Sequence, residues 1–215
     1  LDTYPISLIG MEARRCVVIG GGVVAARKVA GLLAARAAVT VISPQLVSEL
    51  EQRVAAGEVQ VVRRPYQPGD LEGAALVIAA TADPAVNRAV WEEASRRGCL
   101  INVVDDPAHS NFIVPAVVRR GEITVAVSTG GASPALARRL RERLAATIGP
   151  EYGILADLLA ELRPALLARC APGEARLAAA LRLVDSDVLE IIRRDGADAG
   201  RARLVALLDE IVGAG

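Results

Sequence analysis

Val17-Val18-Ile19-Gly20-Gly21-Gly22-Val23-Val24-Ala25 runs from a β-branched apolar stretch through three glycines into an alanine-rich segment. In the G-x-G-x-x-A reading, Gly20 makes the tight turn, Gly22 lets the backbone approach a pyrophosphate, and Ala25 permits close packing of helix on strand. A helix beginning at Val23 and Val24 offers free N–H groups to phosphate oxygens. A glycine-rich turn that binds nothing has the same local pattern. What favours binding is the turn's place after the first strand of an alternating series.

That series extends outward from the turn. Short apolar runs at 16–19, 39–42, 59–62, 76–79 and 100–104 alternate with helical stretches at 23–35, 45–56 and 84–97, punctuated by Pro44, Gly57 and Gly98. The strands are continuously apolar, as in a parallel sheet covered on both faces, and the reading is an α/β, Rossmann-type domain. An acidic residue that would hold the adenosine ribose is expected at the end of the second strand, but the sequence there is Ile42-Ser43-Pro44. Ser43 is the candidate ribose contact. Thr81, after the fourth strand, is either a cofactor contact or a helix-capping residue.

Beyond Pro107 the texture changes. Runs at 112–118 and 122–127 read as strands joined at Arg119-Arg120-Gly121, and Ser133-Pro134 opens a helix reaching about residue 148. Residues 151–212 are rich in leucine and alanine with helical periodicity, broken near Pro164, Pro172-Gly173 and Gly196. The chain therefore divides into 1–112, 113–149 and 150–215.

With 53% hydrophobic residues among 215, the chain can bury a substantial core. Charges balance at 25 basic against 25 acidic, so no global field draws it to nucleic acid or an anionic membrane, and an anionic ligand must be met by a local basic cluster. No apolar stretch reaches the roughly 18 residues of a membrane span. The three cysteines, Cys16, Cys99 and Cys170, are odd in number and far apart, which fits a reducing cytoplasm. Neither they nor the single histidine, His109, have metal-ligand spacing, and no metal site is expected.

Four motifs occur in order: Tyr4-Pro5-Ile6, the Gly20-Gly21-Gly22-x-Val24-Ala25-x-Arg27-Lys28 fingerprint, Asn102-Val103-Val104-Asp105, and Val127-Ser128-Thr129-Gly130-Gly131-Ala132-Ser133-Pro134. In these the chain resembles precorrin-2 dehydrogenases of siroheme biosynthesis and the N-terminal module of siroheme synthases. The resemblance implies NAD-dependent oxidation of precorrin-2 to sirohydrochlorin, in some members followed by ferrous iron insertion. It also implies a homodimer whose small α+β dimerisation segment is 113–149, a C-terminal helical domain, and an active site between the Rossmann domain and the helical region.

Asp105 matches the catalytic aspartate of that family and is the expected base; by position alone it is an ordinary turn residue at the end of a strand. Asp106 reads as a solvated or capping residue, and His109 as either a proton carrier or transient iron ligand, or a structural loop residue. The Ser128-Thr129-Gly130 loop suits an anion, and Thr129 matches a position held by a phosphorylatable serine in some siroheme synthases. A polycarboxylate substrate calls for arginines, of which Arg119, Arg120 and the helix carrying Arg138 are the densest groups. An NAD(H)-sensing module without turnover, and a chelatase with a vestigial cofactor fold, are the alternative readings.

Overall fold

A computed structural model describes residues 3–213. Five strands, β1 (Arg15–Ile19), β2 (Ala38–Ile42), β3 (Gln60–Val62), β4 (Leu76–Ala79) and β5 (Leu100–Val103), form one parallel sheet in the order β3-β2-β1-β4-β5. Chain order reverses between β1 and β4, so a crevice opens at their carboxyl ends. Helices α1 (Val23–Leu33), α2 (Ser48–Ala55) and α3 (Pro84–Arg97) make the crossovers.

The sheet is buried on both faces, which is why its strands show no alternation. On one face Cys16 and Val18 pack with Ala25, Ala26 and Val29 of α1. On the other, Val17, Ile19 and Val77 pack with Val90 and Ala94 of α3. The edge of β5 is closed by side chains instead of a sixth strand. The Ile101 N–H donates to Asn111 Oδ1 at 2.8 Å, Asn111 Nδ2 donates to the Cys99 carbonyl at 2.9 Å, and the Val103 N–H donates to Ser110 Oγ at 2.9 Å. These bonds satisfy backbone groups that would otherwise template pairing with another chain.

Several boundaries differ from the sequence reading by a residue or more, and three of them have clear local reasons. The second crossover helix begins at Ser48 and not at Gln45, because the Val47 N–H donates to the Gly21 carbonyl at 2.9 Å and the Gln45 carbonyl accepts from the Ser43 hydroxyl at 2.7 Å. Strand β5 stops at Val103, where the Asp106 N–H turns back to the Val103 carbonyl at 3.2 Å. The first strand of the later hairpin starts at Ala116, four residues after the expected Phe112, whose carbonyl is held by Asn102 Nδ2 at 3.1 Å.

The chain divides into two compact units between Val114 and Pro115. In the second, β6 (Ala116–Arg120) and β7 (Ile123–Val127) form an antiparallel hairpin, followed by α4 (Pro134–Thr147), α5 (Glu151–Arg169), α6 (Glu174–Val184), α7 (Val188–Asp195) and α8 (Ala197–Gly213). The expected segments 113–149 and 150–215 thus fall almost wholly within one unit. Gly153 lets α5 meet the hairpin turn, since a Cβ there would lie 2.8 Å from the Arg120 carbonyl carbon.

Pro164 does not break the helix as expected; α5 runs through it. Both Pro164 and Ala160 are exposed, so water can satisfy the carbonyl that proline leaves unpaired. Leu155, Leu158, Leu183, Ile192, Leu204 and Leu208 form the helical core. Leu204→Ala, at a side chain only 1% exposed, is expected to lower unfolding free energy by about 2–5 kcal/mol in denaturant titration, whereas the same change at exposed Leu177 should cost little.

Candidate dinucleotide cleft

The carboxyl ends of β1, β2 and β4 border a cleft of about 810 Å³. Its floor is the glycine turn. Gly20 has φ +114°, and a Cβ there would overlap the Ala80 carbonyl oxygen; a Cβ on Gly21 would overlap the Gln45 carbonyl oxygen. Gly21, the unspecified position of the motif, is therefore as sterically constrained as Gly20. Its signal in the sequence was a glycine in the middle of three, where the motif asks for none. Gly22 differs, because a Cβ would meet nothing within 4 Å. Its bare face leaves room for a ligand to approach the backbone.

Gly22 is the N-cap of α1, and no side chain caps that helix. The first N–H groups of α1, including those of Val23 and Val24 on the cleft wall, are therefore left for an anion. This cradle fits a dinucleotide pyrophosphate.

The two polar candidates on the rim are both tied into the protein. Ser43 lines the cleft, but its hydroxyl proton goes to Gln45, leaving Oγ only as an acceptor. Thr81 also lines the cleft, with Oγ1 2.8 Å from Asn87 Oδ1, while Asn87 Nδ2 donates to the Thr81 carbonyl at 3.1 Å. Asp83 caps α3 through the Ala85 N–H at 2.8 Å. Asn87 was not singled out from the sequence; it lies one helical turn beyond that cap.

Tyr66 was also missed, and it forms part of the cleft wall. Its hydroxyl donates to Glu93, a carboxylate only 4% exposed that also accepts from the Gly69 N–H at 2.9 Å and from Arg97 Nε at 2.8 Å. Burial opposes the charge on Glu93, but these three donors hold its carboxyl below the ordinary range. Burial, with the Glu93 bond second, pushes the Tyr66 phenol up. The network pins the aromatic ring against the cleft.

At the far rim, Asp105 is exposed, lines the cleft and sits at φ +60°. The left-handed backbone, tolerable for aspartate, turns the chain sharply out of β5. Lys28, the chain's single lysine, lies close enough to feel the charge of Asp105. Burial lowers the Lys28 pKa, as does Arg27, while Asp105 opposes the shift.

Asp106 is a capping residue, as one sequence reading had it. It accepts from the His109 N–H at 3.3 Å and meets His109 Nδ1 at 2.6 Å. The His109 bond is the main reason the Asp106 carboxyl is held low. The His109 ring also stands edge-on to Trp91, with centroids 4.6 Å apart. His109 thus has structural partners that its place in the sequence did not reveal.

Ser128, Thr129, Gly130 and Arg138 belong to the second unit. Thr129 Oγ1 bridges the Ser133 carbonyl and N–H at 3.1 Å each, Ser128 Oγ accepts from the Gly130 N–H at 3.2 Å, and Ser133 caps α4 through the Leu136 N–H at 3.2 Å. Arg138 pairs with Glu142 at 3.0 Å on an exposed helix face. Arg120 caps the C-terminal turn of α4 through the Ala145 and Ile148 carbonyls, each at 2.9 Å.

A family described as "Putative NAD(P)-binding" matches residues 8–116, and the central family of sirohaem biosynthesis proteins matches 120–147. The siroheme synthase of Methylobacillus flagellatus is 46% identical over 176 residues, covering 82% of this chain and 38% of the relative. That of Thioalkalivibrio sulfidiphilus is 40% identical over 209 residues, covering 97% and 42% respectively. The chain thus spans about two fifths of the length of these relatives. Among solved structures, the precorrin-2 dehydrogenase SirC superposes with a TM-score of 0.72 and 29% identity, covering 97% of this chain and 98% of that one.

Gly22→Asp places bulk and negative charge in the open space of the cradle without touching the fold. It should leave the melting temperature near that of the parent while weakening NADH binding, read by nicotinamide fluorescence, at least about tenfold. Gly21→Ala should instead lower the melting temperature.

Proposed function

The chain belongs to the NAD(P)-binding family that covers its first half, and from that premise we propose that it oxidises precorrin-2 to sirohydrochlorin with NAD as cofactor. The likeness to the precorrin-2 dehydrogenase SirC over 97% of this chain carries the reading. The siroheme synthase relatives support the same pathway.

Oxidation of the macrocycle removes a hydride and a proton. NAD, when bound, supplies the hydride acceptor. Val23 and Val24, with Gly22 before them, would hold its pyrophosphate through backbone N–H groups, Gly20 would shape the turn that places them, and Ser43 and Thr81 would border the rest of it. Asp105 accepts the proton at its carboxylate. Support for that role comes from its place on the cleft rim and from the turn at φ +60° that keeps it exposed.

Ser128, Thr129, Gly130 and Arg138 are assigned to the substrate's carboxylates, on the support of an exposed small-residue loop and a basic helix face. The reading includes a homodimer in the cytoplasm, in keeping with the family resemblance and with free thiols at Cys16, Cys99 and Cys170.

Anaerobic incubation with precorrin-2 and NAD tests the proposal through the absorption of sirohydrochlorin. NAD-dependent product formation is expected, and Asp105→Asn should reduce it at least about 100-fold while leaving NADH binding within twofold. Folded protein that binds NADH but forms no product would favour a sensing module. Normal turnover by Asp105→Asn would remove the base assignment.

A further inference from the structure

The ribose end of the cleft lacks both usual signs of cofactor choice. Strand β2 is followed by Ser43 where NAD sites carry an acid, and no arginine comes after it in the loop 44–47 to receive a 2′-phosphate. Two arginines nevertheless stand beside this position. The Ser43 N–H donates to the Val62 carbonyl at 3.1 Å, so the residues that follow β3, Arg63 and Arg64, leave the sheet next to Ser43. The next two residues, Pro65 and Tyr66, line the cleft itself.

Each of these guanidiniums is engaged at both terminal nitrogens by a carboxylate. Arg63 meets Glu51 of α2 at 2.7 and 2.6 Å. Arg64 meets Asp70 at 2.7 and 2.6 Å, and Asp70 is fixed further by the Gln67 N–H at 2.8 Å. The forked donors that bind a phosphate well bind a carboxylate equally well. A 2′-phosphate at Ser43 would have to displace Glu51 or Asp70 and then remain beside the displaced charge.

We propose that Glu51 and Asp70, by occupying Arg63 and Arg64, set the preference of this cleft for NAD over NADP. The proposal rests on reading the cleft as a dinucleotide site. It makes α2 and the loop after β3 a specificity element, with the selectivity carried by neutralised cations in place of a ribose-binding acid.

The Arg63–Glu51 pair is open to solvent, with side chains 48% and 42% exposed, so removing it should cost the fold little. Glu51→Gln can therefore be read in the intact protein, by titrating NADH and NADPH fluorescence without tetrapyrrole. The parent should bind NADH at least about tenfold more tightly than NADPH. Glu51→Gln should tighten NADPH about tenfold and leave NADH within twofold. That gain should shrink as salt is raised, and adding Arg63→Gln should abolish it.

Equal parental affinity for the two cofactors would overturn the proposal. So would a ratio unmoved by Glu51→Gln, or a change in both affinities alike. If the parent bound neither cofactor, the dinucleotide reading itself would fall, and the proposal with it.

Discussion

The β1-to-α1 turn threads between two neighbouring loops with no room for a side chain on either of its first two glycines. The Ala80 carbonyl blocks Gly20 and the Gln45 carbonyl blocks Gly21. This contact holds three strand ends together, because the loops concerned leave β4 and β2. Gly20 N–H donates to the Ile42 carbonyl at 3.0 Å and Val47 N–H to the Gly21 carbonyl at 2.9 Å, which locks the turn from both sides. The position of the α1 N-terminus, and hence of any phosphate bound there, follows from that packing.

The same constraint explains which parts of the site could be read in the sequence. Strands buried on both faces announce themselves as unbroken apolar runs, and the three-glycine turn after the first of them located the cleft. Long-range polar pairing leaves no such trace. Tyr66 and Glu93 are 27 residues apart, and nothing in either neighbourhood says that one hydroxyl will find one buried carboxylate. The Asp106–His109 pair was close enough in sequence to suspect, yet a three-residue spacing inside a loop also occurs where the side chains never meet. The start of α2 was misplaced because the residues before Ser48 have a job in the turn that their helix propensity does not express.

The buried polar groups also show where the fold spends rigidity. Glu93 sits almost fully out of water, a costly position for a carboxylate unless donors surround it. Its three donors come from the loop carrying Tyr66 and Gly69 and from α3. The cost is offset where the loop after β3 must stay against the cleft. On the opposite rim, Asn111 and Ser110 do the equivalent work for β5 by taking up its edge backbone. Both walls are thus braced by side chains from outside the sheet.

Most polar side chains around the cleft are already committed within the chain. Ser43, Thr81, Asp83, Asn87 and Tyr66 all have partners within the chain, and Asp106 is bonded to His109. Among the described residues, no hydrogen bond engages the Asp105 carboxylate, and no side chain caps α1. Native structures satisfy most of their buried polar groups, so groups left open on a concave surface are those available to a ligand. They include the first N–H donors of α1, suited to an anion, the exposed Asp105 carboxylate, suited to taking a proton, and the side-chain amide of Gln45. The uncommitted N–H groups at the start of α1 and the exposed Asp105 carboxylate thus lie along the lining of one cleft.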